Sequence, residues 1–225
     1  MKKFAKTLMA TLALCSVASY LYAVPTLVIS DNNGNTTGPI LVPSGTTTFS
    51  GVLGNWNFNV VTVVGAPPAP GGTVNNPYLD VNSIDRYIGS AINGAPGSKL
   101  TITFLDDNLG PLLGDAQNAT GGTTKGTSDL FEALVNGAPY ITSGPWASVT
   151  SSSFSDFQSK PIAAGAGTTL GIRVSLTAIT PADSTHPDTT SFNDSFEVVP
   201  DGGVTVALLG FAMIGIEGLR RKLKK

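Results

Sequence analysis

Short runs in which apolar and polar residues alternate, each closed by a cluster of Gly, Pro, Asn or Ser, recur along most of this chain and restrict it to β-structure. In Lys99-Leu100-Thr101-Ile102-Thr103-Phe104, the residues Leu100, Ile102 and Phe104 share one face of a strand, and Lys99, Thr101 and Thr103 share the other. Ile172, Val174, Leu176 and Ala178 repeat the pattern opposite Arg173, Ser175 and Thr177. One dry face and one wet face per strand is what two packed antiparallel sheets require. The six residues Leu100, Ile102, Phe104, Ile172, Val174 and Leu176 are therefore expected to be buried on paired or facing strands. Strands are predicted over residues 26–30, 40–42, 46–50, 57–64, 78–84, 99–105, 146–154, 169–179 and 191–199. Residues 129–135 fit a short helix capped by Ser128 as well as a strand; the alternation of Phe131, Ala133 and Val135 favours the strand. Asn32-Asn33-Gly34-Asn35, residues 67–72 and Gly121-Gly122 are predicted turns or loops. The expected fold is all-β, an antiparallel two-sheet sandwich of jelly-roll or immunoglobulin-like type.

The two ends follow a different chemistry. Lys2, Lys3 and Lys6 precede an apolar run centred on residues 8–14, followed by small residues, which is the pattern of a secretory signal peptide. Cleavage is expected after Ala23, with Ala18 as the alternative. Cys15 is the only cysteine and lies inside this segment, after a leucine too large for a lipoprotein cleavage site. At the other end, Val199-Pro200-Asp201-Gly202-Gly203 leads into an apolar stretch at 204–219, interrupted by Glu217. The basic residues Arg220, Arg221, Lys222, Lys224 and Lys225 close the chain. Sixteen residues make about 24 Å of helix, short of the roughly 20 residues that span a bilayer comfortably. Snorkelling of Arg220 and Arg221 makes up the difference, and the basic end stays cytoplasmic. A signal helix, a body and a transmembrane helix are thus expected, divided at 1–23, 24–198 and 199–225. Val199 to Gly203 are expected to be exposed and free of the sandwich, since Gly202-Gly203 supply freedom and Pro200 disfavours regular pairing.

With the ends set aside, the body holds 5 basic and 13 acidic residues, a formal charge of −8. Such a body has no attraction for phosphate backbones and is repelled by anionic lipid, so nucleic acid is excluded as a partner and membrane contact falls to the tail. Without cysteine it forms neither a disulfide nor a thiolate metal site, and a single histidine, His186, excludes a multi-histidine site. His186 sits in a predicted loop, and no Gly-x-Ser-x-Gly elbow accompanies it, so no catalytic residue, cofactor or metal is assigned. A two-carboxylate hydrolase would need Asp106-Asp107 to meet Asp80 or Asp85 in space. Two oxygen-rich regions, Asp31 to Asn35 and the set Asp183, Asp188 and Asp194, lack the spacing of a calcium loop. Among the aromatics, Trp56 shares a face with Phe58 and Val60 and reads as core. Trp146 and Tyr140 are the candidates for a sugar-binding platform, provided that they are coplanar and exposed.

The order of turn motif, apolar segment and basic end resembles the PEP-CTERM class of bacterial C-terminal sorting signals, and more closely its Val-Pro-Asp-Ser-Gly variant, with Gly202 in the serine position. The resemblance implies an exported protein of a Gram-negative bacterium, held in the inner membrane until an exosortase, a membrane-embedded cysteine protease, removes the tail. The body is similar to a group of exported proteins in the segments 28–31, 51–64, 79–82, 170–179 and 191–194, which implies a β-sandwich and no assigned activity. The family implies a surface or extracellular-matrix component associated with exopolysaccharide, biofilm or floc. The general secretion machinery and an exosortase are the implied partners, a glycan-binding module is the alternative function, and a glycoside or ester hydrolase comes third.

Overall fold

A computed structural model describes residues 24–42, 46–65, 77–88, 97–109, 111–179 and 188–200. The expected signal helix, Ala23, His186, Asp183, Asp201 to Gly203, the transmembrane segment and the basic end lie outside the described residues. The chain runs through β1 (Thr26–Asp31), β2 (Ile40–Leu41), β3 (Thr46–Leu53), β4 (Trp56–Gly65), β5 (Tyr78–Tyr87) and β6 (Lys99–Leu109). It continues through β7 (Leu112–Lys125), β8 (Thr127–Val135), β9 (Ala138–Ser148), β10 (Ser152–Ala164), β11 (Thr168–Ala178) and β12 (Asp188–Pro200).

All pairing is antiparallel. The first sheet has the order β2-β1-β6-β11-β8-β9 and the second the order β10-β7-β12-β5-β4-β3. From β5 onward, this alternation between sheets is the eight-strand jelly-roll order, with β1-β2 and β4-β3 added as outer pairs. Of the two sandwich types open to the sequence, the strand order selects the jelly roll. Each strand buries alternate residues because the second sheet covers one of its two faces.

The alternating runs pair with each other as expected. Phe104 lies opposite Ile172, Ile102 opposite Val174 and Leu100 opposite Leu176, and all six are fully buried. Phe131 of β8 then reaches from the first sheet into the second, with its ring 5.3 Å from Phe192 and 5.4 Å from Phe154. Trp56 is a core residue, 5.2 Å from the Tyr87 ring, and donates its indole N–H to Ser98 Oγ at 3.3 Å. Each large apolar side chain buried this way contributes roughly 1.5–3 kcal/mol against chain entropy. Residues 129–135 form a strand, as their alternation favoured.

Two expectations fail. Gly121-Gly122 lie within β7, a strand absent from the sequence reading, and the pair runs between β10 and β12. A Cβ at Gly122 would stand 2.1 Å from the Ser191 carbonyl oxygen and 2.8 Å from Phe192 Cα, so the glycine is present because β12 passes too close for any side chain. Residues 146–154 form a hairpin rather than one strand, with β9 ending at Ser148 and β10 beginning at Ser152. The run of small polar residues 150–153 supports a turn as readily as a strand.

Candidate functional site

The best-marked functional segment of the sequence begins on a strand in the middle of a sheet. β12 lies between β7 and β5, and it continues through the first two residues of the turn motif: Val199 pairs with Asp115 and Pro200 with Gly114. The expectation that all of Val199 to Gly203 stand free is thus corrected for Val199 and Pro200. On the β5 side the pairing runs to Tyr78, opposite Glu197, and Val198 N–H still donates to the Pro77 carbonyl at 3.1 Å, so among the described residues Val199 and Pro200 have a ladder neighbour on the β7 side alone. That is the edge condition under which a sheet accepts proline. The paired ladder therefore holds the chain up to Pro200.

Trp146 and Tyr140 both belong to β9 and do not form a shared platform. Ile141 and Ser143 point inward, and a bulge opposite Asp129 and Phe131 resets the alternation so that Trp146 turns inward too. Its ring stacks on Phe154 at 5.8 Å and 9°. Tyr140 lies where a second irregularity interrupts pairing with β8. Its hydroxyl donates to the Pro161 carbonyl, and Lys160 Nζ sits 4.2 Å from the ring centre. Each ring is half-buried with a face already taken. The most exposed aromatic ring among the described residues is instead Phe157, 62% exposed on β10. Its odd spacing from the buried Phe154 was the sequence signal for an outward direction.

The carboxylates are dispersed. Asp85 points into the sandwich and Asp80 lies on the opposite face of the same strand, while Asp106 points inward from the other sheet and Asp107 outward. The carboxylate whose charge raises Asp85 is Asp129, and the one that raises Asp106 is Asp107. The two-carboxylate pairing weighed from the sequence is therefore not assembled. Burial pushes Asp85, Asp106 and Asp194 up to about 7 and Asp129 up to about 6. Asp194 accepts from Asn118 Nδ2 at 2.8 Å, and Asp129 accepts from Thr190 Oγ1 at 3.2 Å. These acids fill the sandwich interior rather than a cleft.

The Asp31 loop is closed on itself. Burial alone would raise the Asp31 pKa, but hydrogen bonds from the Asn35 side chain at 2.7 Å and from the Asn33 and Asn35 amides, each at 2.9 Å, lower it. Asp188 and Asp194 both point inward from β12, six positions apart. Among the described residues no group of three or more His, Cys, Asp or Glu side chains is placed to hold a metal ion. Among the same residues no helix is long and apolar enough to cross a membrane.

Comparison with known proteins adds one informative match. No curated protein matches the chain. Among solved structures, the infectious bursal disease virus Gx strain structure is similar at 10% identity and a TM-score of 0.29, covering 79% of this chain and 51% of that one. An isomalto-dextranase of Arthrobacter globiformis T6 complexed with panose is similar at 15% identity and a TM-score of 0.20, covering 77% of this chain and 30% of that one. The chain thus spans about half the length of the first and less of the second. The model of the VPDSG-CTERM motif matches residues 198–223, from the last paired turn of β12 to the basic end. With that motif following a β-sandwich body, the chain is an exported protein that carries a C-terminal sorting signal of the PEP-CTERM/VPDSG-CTERM type.

Proposed function

We propose that this protein is a structural component of the cell surface or extracellular matrix of a Gram-negative bacterium, released from the inner membrane by an exosortase and working beside exopolysaccharide in a biofilm. The observation that carries this reading is the VPDSG-CTERM match on a folded jelly roll whose central strand runs straight into the motif. The arrangement suits a membrane-held precursor: a body that folds outside the bilayer, a short cleavable segment and a basic stop. We read the body as non-enzymatic, since Asp85 and Asp106 are enclosed in the sandwich interior while Asp80 and Asp107 face outward from different sheets.

Fractionation of cells tests the sorting. The full chain should accumulate as a membrane-held precursor when the exosortase is deleted. Truncation after Pro200 should give a folded, secreted body that never passes through that stage, and replacing Arg220, Arg221, Lys222, Lys224 and Lys225 by neutral residues should weaken retention. A truncated body that still fractionates with the inner membrane would sink the reading. His186→Ala should leave the secreted protein's behaviour unaltered.

A further inference from the structure

We infer that the outward face of the second sheet is a binding surface for an uncharged polysaccharide. The observation is a juxtaposition made by register. One cross-strand row passes from Ser155 on β10 through Gly121 on β7, Asn193 on β12 and Asn82 on β5 to Val61 and Thr48 on β4 and β3. The adjacent row, from Ser153 to Ser50, is likewise without a charged side chain across all six strands. In a body with a formal charge of −8, two adjacent uncharged rows set this face apart: the first sheet also has an uncharged row, from Leu41 to Pro139, but the row beside it holds Arg173 and Glu132.

Its relief suits a chain-like ligand. Ala119 and Gly121 on β7, with Ser191, Asn193 and Ser195 on β12, form a floor of small and polar side chains. The outward, 62% exposed Phe157 pairs directly with Ala119 and stands along one side. Tyr78, its hydroxyl donating to Asp80 Oδ2 at 3.1 Å, and the 56% exposed Ile84 stand along the other side on β5. Three strand spacings separate β10 from β5, a trough roughly 14 Å wide. Hydroxyl and amide groups both donate and accept, as do sugar hydroxyls, and the open ring of Phe157 offers an apolar face to the C–H side of a pyranose.

Other occupants fit less well. Protein interfaces concentrate aromatic, Met and Arg side chains at their centre, and this floor has none. Nucleic acid and anionic lipid are disfavoured by the body's charge. The inference deepens the proposed function, resting on the reading that the body works outside the inner membrane. It is tested separately from sorting.

The full chain, purified in detergent, would be run through native gels containing hydroxyethylcellulose, glucomannan or alginate. Retardation by a neutral polymer and none by alginate is expected. Phe157→Ala and Ala119→Glu should each weaken that retardation roughly tenfold. Thr101→Ala, on the outer face of the other sheet, should leave it unchanged. Both trough variants point outward, so their melting temperatures should match the parent and report that the fold is intact. No retardation in either neutral polymer, equal retardation in alginate, or retardation undiminished in both folded trough variants would overturn the proposal. So would sedimentation showing a dimer that Phe157→Ala dissociates, since the face would then be a self-association surface.

Discussion

The two sheets solve the same packing problem with different residues. At the centre of the first sheet, β6 and β11 point Leu100, Ile102, Phe104, Ile172, Val174 and Leu176 inward. At the centre of the second, β7 and β12 point Asn118, Thr120, Thr124, Thr190 and Asp194 inward, among Ala116, Phe192 and Phe196. The first pair is a dry seam whose stability comes from apolar burial. The second is a polar seam, and it needs hydrogen bonds such as Asn118 to Asp194, and Thr124 to Thr127 at 2.7 Å, to offset the cost of taking those groups out of water. Alternation therefore reports a strand only where the inward positions are apolar.

The largest effect should come from breaking the dry seam. Val174 lies between Ile102 and Phe131 with no exposed surface, so Val174→Asp buries an unpaired charge. The cost should be roughly 3 kcal/mol or more, enough to unfold a marginal domain; urea unfolding of the variant measures it. An equally stable Val174→Asp protein would show that the seam is not dry. Next comes the close approach in the polar seam. Gly122→Ala must push apart β7 and β12 backbone and should cost about 2 kcal/mol, whereas Gly121→Ala meets its nearest atom at an ordinary 3.5 Å and should stay within about 0.5 kcal/mol.

A pH series sharpens the comparison further. Asp85, Asp106 and Asp194 hold their protons to about pH 7 and Asp129 to about 6 in the folded state, while the unfolded chain releases them near the ordinary 3.8. The folded form binds more protons between those limits, so this contribution is fully present below the unfolded value and is lost as pH rises through the folded one. The melting temperature should fall between pH 5 and pH 8. Asp194→Asn keeps the bond from Asn118 and removes one titrating group, so it should flatten that fall by several degrees. Asp31 and Asp156, both lowered, act in the opposite sense and only below the ordinary carboxylate range. The smallest effect should be that of Phe157→Ala, with stability changed by less than about 0.5 kcal/mol because the ring faces outward.

Most strands were legible because their inward residues are apolar and their outward ones are not. β7 was not, and β9 and β10 were legible only as the single run 146–154, since Asn, Thr, Ser, Gly and Asp look the same in a loop and on a strand. The Trp146–Tyr140 pairing failed for a different reason: a bulge changed the parity of one strand, and nothing in the local pattern announces a bulge. The Val199-Pro200 correction has a similar origin, because proline's cost in a strand depends on which neighbours are present.

By itself the sequence determined the all-β class, the dry β6–β11 seam, the body's acidity and the sorting signal, all of which reside in local periodicity, charge or a contiguous motif. Only the tertiary structure decided the jelly-roll order, the central position of the strand that carries the signal, and the neutral stripe across the outer face of the second sheet. Those depend on which strands pair and in what register, and register joins residues as distant as Ser155 and Asn82 through contacts that no local stretch of chain contains.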